Sequence, residues 1–348
     1  SENKKKLCHA NGELTYISNE TLLESTCDCD LLLVDEAATL GVERLQLLMQ
    51  RYPRLALATT EHGYEGSGRG FALKFRQLLQ QHCRGQYPVY METPVRWPEN
   101  DPLETWTNEL LLLDLPSPAS LADKPDKPQT SALKFRQLSQ PALAADEQLL
   151  SSVFGLLVDA HYQTRPVDAR YLLDAPNSVL YVAEQESRLL GLVWLMCEGG
   201  LDNATAIAVV AGRRRPQGHL VPQTLAAHLG LELAVTSHCQ RIQRIAVLPE
   251  AQGLGIGSWM LAQLEQQEKT ELDYLASSFG ADARLVRFWQ RAGYAPVRVS
   301  DRRRAASGLH SAVVIKPCSN TAQQLLEQAR EAYLDQYPEQ LGTKLKQL

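Results

Sequence analysis

The run Arg244-Ile-Ala-Val-Leu-Pro-Glu-Ala-Gln-Gly-Leu-Gly-Ile-Gly-Ser-Trp-Met-Leu261 constrains this chain more than any other. A β-type stretch (Ile242, Ile245, Val247) passes into Gln252-Gly253-Leu254-Gly255-Ile256-Gly257. A helical spacing of Trp259, Leu261 and Leu264 follows. Strand, glycine-rich turn and helix together present a row of backbone N–H groups to phosphate. The glycines allow close approach of the anion, and the helix dipole favours its charge. Gly-Lys-Ser/Thr is absent, so this is not a nucleotide P-loop, and the spacing does not fit the Gly-x-Gly-x-x-Gly dinucleotide fingerprint.

At 348 residues the chain is long enough for two domains with separate cores. Its 44% hydrophobic and 22% charged residues are ordinary for a globular protein. The apolar runs Leu31 to Val34 and Leu110 to Leu113 are too short to span a bilayer, and the charged start Ser1 to Lys6 leads into no signal core. The seven cysteines are scattered, and Cys27-x-Cys29 lacks the second pair of a zinc site, so no metal centre is expected. These features predict a reduced, cytoplasmic protein. A net charge of −5 argues on average against nucleic acid. Two basic triplets, Arg213-Arg214-Arg215 and Arg302-Arg303-Arg304, stand against that average. They are either solvated surface charge or grips for phosphate groups, those of RNA included.

The predicted organisation is an α/β module over 1–115, a linker over 116–140, a second α/β domain over 141–318 and a helical tail over 319–348. In the first module, strands are expected at Leu31 to Val34 and Leu55 to Ala58, with a helix from Gly41 to Arg51 between them. Gln86 to Glu92 suits a third strand and Asp101 to Leu113 a helix. The stretch Pro116 to Gln129, rich in proline, aspartate, lysine and serine, has linker composition. Beyond it, Ser178 to Glu184 and Arg188 to Cys197 read as a hairpin turning at Gln185 to Ser187. Arg241 to Val247 is the strand before the glycine turn and Ser258 to Lys269 the helix after it. Tyr274 to Ser277, Arg284 to Ala292, His310 to Lys316 and Thr321 to Tyr337 then give strand, helix, strand and amphipathic helix. The heptapeptide Ala-Leu-Lys-Phe-Arg-Gln-Leu occurs at both Ala72–Leu78 and Ala132–Leu138 without any longer period.

Gln252-x-x-Gly255-x-Gly257 resembles the pyrophosphate loop of the GCN5-related N-acetyltransferase superfamily, whose donor is acetyl-coenzyme A. On that resemblance the backbone from Gly253 to Ser258 holds the diphosphate. If Ile245-Ala246-Val247 splays from its neighbour, a main-chain N–H there meets the acetyl oxygen as charge develops. Arg284 to Tyr294 resembles the superfamily's last helix, with Trp289 where many members carry a thiolate-protonating tyrosine. Indole N–H is too weak an acid for that task. No Asp or Glu lies between Leu233 and Pro249, which leaves His310 and His238 as candidates for the general base.

Further motifs, in order, are Leu32-Leu-Val-Asp-Glu-Ala-Ala38, Thr59-Thr60, Gly63 to Phe71, Pro94-Val-Arg96-Trp97, Arg214 to Leu220 and Arg244 to Val247. Together they resemble the tRNA(Met) cytidine acetyltransferases from about residue 28 to 318. The resemblance implies a helicase-like ATPase module fused to an acetyltransferase with a mixed sheet, making N4-acetylcytidine at the anticodon wobble position. It further implies that Ile245, Ala246, Val247, Gln252, Gly253, Leu254, Gly255, Ile256, Gly257, Ser258 and Arg291 bind acetyl-coenzyme A, and that Arg96 touches ATP. Arg284 stands where bacterial members carry a glutamate bordering the donor. The family's Walker A loop is absent from this chain. Asp35 and Glu36 could therefore hold Mg²⁺ only if another group cradled the triphosphate, and the first module is expected to lack independent ATPase activity. The expected partner is RNA, gripped by Arg213 to Arg215 and Arg302 to Arg304. A protein lysine or small amine as acceptor, and a non-catalytic RNA-binding role, are the alternatives.

Overall fold

The computed structural model describes residues 6–9, 12–18, 21–22, 27–60, 79–80, 83, 85–113, 115, 132–160, 164–267, 272–303 and 309–343. A short antiparallel pair, β1 (Lys6–His9) and β2 (Gly12–Thr15), precedes a βαβ unit. In that unit β3 (Leu32–Val34) and β4 (Leu55–Leu57) run parallel, joined through α1 (Val42–Arg51). Helix α1 buries Leu45 and Leu48 against Val34, Ala37 and Tyr52, a small core of its own. Helix α2 (Pro102–Leu110) starts on Asp101, whose carboxylate accepts from the N–H groups of Leu103 and Glu104. The strand expected at Gln86 to Glu92 does not form. That stretch is irregular and exposed, because no neighbouring strand among the described residues gives its β-prone side chains a face to pack on.

The larger unit is a seven-stranded mixed sheet in the order β10-β11-β9-β8-β7-β6-β5. Its strands are β5 (Lys134–Leu138), β6 (Ser178–Gln185), β7 (Arg188–Gly199), β8 (His238–Val247), β9 (Tyr274–Gly280), β10 (Ala295–Arg303) and β11 (His310–Pro317). Strand β5 corrects the expected linker: Lys134–Leu138 pairs antiparallel with β6 as an edge strand. Phe135 stacks on Tyr181 there, so the linker composition stops short of residue 134. This is the second copy of the heptapeptide; the first lies outside the described residues. The β6–β7 hairpin turns on Glu186 and Ser187, both at positive φ, as a two-residue turn of matching twist requires.

Helices α3 (Gln140–Ala145), α4 (Glu147–Ala160) and α5 (Pro166–Asp174) precede the hairpin. Between β7 and β8 stand α6 (Asn203–Val210), α7 (Leu220–Leu229) and α8 (Glu232–Thr236). Helix α9 (Ile256–Gln266) follows β8, α10 (Ala283–Arg291) follows β9 and α11 (Asn320–Thr343) closes the fold. One core joins Phe154 and Leu157 of α4 to Val182, Leu192 and Val193 of the hairpin and Met260 and Leu264 of α9. A second joins Val221 and Leu225 of α7 to Tyr274, Ala276, Val313 and Ile315, and to Ala322 and Leu325 of α11. The segment expected as a tail is thus part of a core, its apolar stripe covering the β9–β11 face. No helix among the described residues is long and apolar enough to cross a membrane.

Candidate active site

Strands β8 and β9 run parallel, and their register covers only Cys239↔Tyr274 through Ile242↔Ser277. Both continue beyond that last pair, β8 to Val247 and β9 to Gly280, while β8 keeps its register with β7 up to Gly191↔Val247. The sheet therefore opens as a V whose vertex is Ile242↔Ser277. At the vertex the Ser277 hydroxyl donates to the Ile242 carbonyl at 3.1 Å, satisfying a buried acceptor where the ladder stops. A bulge lies one residue on: Trp194 pairs with Arg244 and Leu195 with Ile242, so Gln243 is the extra residue. A bulge bends its strand and strengthens its twist, which is the local cause of the splay.

The glycine turn sits at the mouth of the V. Leu248 N–H bonds to the Leu190 carbonyl, and Gln252 Nε2 donates to the Val247 carbonyl at 3.1 Å, tying the turn to the strand. Gly255 is the residue before α9, at φ 84°, and Gly253 is at φ 80°. A side chain at either would meet nothing within 4 Å, so backbone angle and not crowding demands glycine here. Gly257 is different: a Cβ there would stand 3.4 Å from Phe288 of α10 and 3.9 Å from Val247. The start of α9 carries no side-chain cap, and its first intrahelical donor is Trp259, bonded to the Gly255 carbonyl. Helix α10 opens at the same mouth, but Asp282 accepts from the N–H groups of Arg284 and Leu285. Of these two helix starts, α9 offers its donors to an anion.

Arg284 and Arg291 lie at opposite ends of α10, both exposed. Between them Trp289 is buried, stacked on Phe279 and edge-on to Tyr294. Packing therefore accounts for the indole. The two candidate histidines separate. His238 begins β8 on the closed side, about 13 Å of strand from the vertex at Ile242, its ring against Gly200. The structure does not bring it to the cleft. His310 begins β11 beside the open end of β9, where its carbonyl accepts from Ala281 N–H at 2.6 Å. Its ring is buried, with Nδ1 2.7 Å from the Ser300 carbonyl. A carbonyl only accepts, so Nδ1 carries the proton and Nε2 the lone pair.

Sequence reasoning missed Glu198. On β7 opposite Cys239, its side chain is fully buried; Oε1 lies 2.6 Å from Arg241 Nε and Oε2 accepts from the Val221 N–H at 2.9 Å. It pairs a cation and serves as the side-chain cap that α7 otherwise lacks. Only the occurrence of one acidic residue in the apolar run Leu189 to Cys197-Glu198 hinted at it. Arg213 to Arg215 form an exposed turn after α6, with Arg214 Nη1 3.4 Å from Thr205 Oγ1. Burial, then the positive charges of Arg298 and Arg215, lower the His228 imidazole below its ordinary range; Asp301 opposes them. Strand β10 carries Arg302 and Arg303. Arg304 lies outside the described residues.

In the first module Asp35 and Glu36 follow β3 at the carboxyl ends of two parallel strands, where open α/β sheets take ligands. Both are exposed, Glu36 is at φ 47°, and its carboxylate accepts from the Thr60 hydroxyl at 3.4 Å. Arg96 is exposed on the irregular stretch before α2.

The helicase-domain model of RNA cytidine acetyltransferases (NAT10/TcmA) matches residues 1–114, and the model named GNAT acetyltransferase 2 matches 152–271 and 259–319. The chain belongs to the RNA cytidine acetyltransferase family. Its α/β architecture, a helicase-like module followed by an acetyltransferase-type mixed sheet, is that of the family. The tRNA(Met) cytidine acetyltransferase TmcA of Nitrosococcus halophilus (strain Nc4) is 47% identical over 96% of this chain. The proteins of that name from Vibrio cholerae serotype O1 and Haloarcula marismortui are 38% and 39% identical over 97% and 88% of it. This chain spans 45%, 47% and 39% of those relatives, less than half of each.

Proposed function

We propose that this chain transfers the acetyl group of acetyl-coenzyme A to the N4 amine of an RNA cytidine, the tRNA(Met) wobble cytidine being the first substrate to test. The observation that carries the proposal is the uncapped start of α9 at the mouth of the V between β8 and β9. Backbone from Gly253 to Ser258, with Gln252 fixing the turn, receives the diphosphate. Ile245 to Val247 run beside the donor's arm, and a main-chain N–H of that run meets the acetyl oxygen. Leu254 and Ile256 flank the turn on its exposed and buried sides, and Arg284 and Arg291, exposed on the helix whose Phe288 packs by Gly257, take the remaining phosphate.

The amine attacks the thioester carbonyl directly; the C–N bond forms to give a tetrahedral intermediate, whose collapse breaks the C–S bond. The amine's proton leaves as the tetrahedral intermediate forms, and the thiolate takes up a proton from solvent. Cys239, the cysteine on β8, does not suit an acyl-enzyme: it is buried, and burial raises its thiol well above the ordinary range. We assign proton removal to His310 Nε2 at the open end of the β9–β11 wing. Arg213 to Arg215 and Arg302 to Arg304 grip RNA phosphates. Asp35, Glu36 and Arg96 are exposed, and no step is drawn through a nucleotide.

The test is mass spectrometry of nucleosides from tRNA incubated with the protein and acetyl-coenzyme A. N4-acetylcytidine is expected. Tight acetyl-coenzyme A binding without that product, or with acetyl-lysine in its place, overturns the choice of acceptor.

A further inference from the structure

We propose that Arg241 and Gln243 form the surface that recognises the acceptor base, presenting to cytosine the hydrogen-bonding edge that guanine presents in a base pair. The proposal rests on the cytidine-acetylation reading above. Both residues are on β8, one either side of Ile242, the vertex of the V. Arg241 Nη2 stands 3.4 Å from Gln243 Oε1, so their side chains share one face of the strand. A guanidinium can only donate, which fixes the flip of the amide: Oε1 towards Arg241, Nε2 away from it.

Arg241 is itself held. Nε is committed to Glu198 at 2.6 Å, and Glu198 is anchored by the Val221 N–H at the start of α7. The guanidinium plane is therefore fixed, with Nη2 towards Gln243 and its side chain only 14% exposed. Among the described residues Nη1 has no hydrogen-bond partner. The Gln243 oxygen has a second lone pair beyond the one Arg241 uses. Read across the strand, the pair offers an acceptor followed by donors. Cytosine offers the complement: the N4 amine donates, and N3 and O2 accept.

Seated this way, the N4 amine meets Gln243 Oε1 beside the vertex, where a donor lying along 245–247 brings its acetyl carbon. Uracil is mismatched twice, its N3–H facing the guanidinium and its O4 facing Oε1. The turn carrying Arg213 to Arg215 leads into α7, whose start Glu198 also holds, so phosphate-gripping and base-reading groups lie on one flank.

Gln243→Leu and Gln243→Glu are compared with the parent protein in acetyl transfer to tRNA. Acetyl-coenzyme A binding is followed by calorimetry, and tRNAs with cytidine or uridine at the target serve as competitors. Gln243→Leu should lower kcat/KM for tRNA at least about tenfold with donor affinity unchanged, and should shrink the preference for the cytidine competitor. Gln243→Glu keeps the acceptor oxygen and should retain most of the rate. Leucine and parent proteins within about twofold of each other, with equal competitor preference, overturn the pair alone. A parent protein that binds acetyl-coenzyme A yet acetylates no cytidine overturns the functional reading, and the pair with it.

Discussion

Ser277 marks where the sheet divides: its hydroxyl bonds to the Ile242 carbonyl at 3.1 Å across the last register pair of β8 and β9. The carbonyl is the terminal acceptor of a ladder, and the buried hydroxyl closes it off without another strand. Ser277→Ala should cost about 1 kcal/mol of stability and weaken acetyl-coenzyme A binding, because the V loses its fixed apex. Denaturant titration and calorimetry measure the two effects; a variant unchanged in both would show that the strands part without this bond.

Gly255→Ala tests the turn. The position is sterically open but at φ 84°, so alanine costs about 1–2 kcal/mol of backbone strain or shifts the turn. Donor affinity should fall at least about tenfold. Gly257→Ala fails by another route, pressing on Phe288 at 3.4 Å, and should disturb α10 as well as the turn. Calorimetry with acetyl-coenzyme A, beside near-ultraviolet circular dichroism, separates the two.

Replacing Arg213, Arg214 and Arg215 with alanine should weaken RNA binding at low salt. It should also flatten the plot of log affinity against log salt by roughly 0.7 for each phosphate no longer neutralised. An unchanged slope would reduce the triplet to solvated charge.

Glu198→Ala should be among the most damaging single changes. It leaves the largely buried Arg241 uncompensated and α7 uncapped, a loss of about 3–5 kcal/mol. Thermal unfolding reads this directly.

Asp202 gives a pH signature. Its carboxylate accepts from the Thr205 N–H at 2.7 Å and the Thr205 hydroxyl at 3.0 Å, and those bonds hold its pKa below the ordinary value. A group depressed in the fold stabilises above its unfolded pKa, and that contribution is lost as pH falls through its folded pKa. Asp202→Ala should therefore lower Tm at neutral pH and narrow the gap from the parent protein as pH falls below the ordinary aspartate range.

The backbone geometry of the candidate donor turn was legible because it is written in contiguous residues. Gln252 to Ser258 specify a turn, Val247 ends a strand, and the alternation on either side fixes both elements. The acceptor half was not, because it is assembled across strands. Glu198 and Arg241 are 43 residues apart and meet through the β7–β8 register, which periodicity does not reveal. The bulge at Gln243 was hidden for the same reason, since a strand with one extra residue looks regular until its partner is known. His238 and His310 were alike by type, and only the fold sends one to the closed end of β8 and buries the other against Ser300. Strand β5 was obscured by the polar stretch before it, and its edge position lets Lys134 and Arg136 point outward without penalty.

Parting β8 from β9 leaves four strands on one wing and three on the other, and both cores bridge the two: Leu275 and Val314 join the core of α4 and α9, while Cys239 joins that of α7 and α11. The aperture between them behaves like the jaw of a clamp whose two arms share their bracing. Loosening α11 on the far arm would change the grip on a thioester without any altered residue touching it, so variants distant from the chemistry are the ones in which affinity and melting temperature should move together.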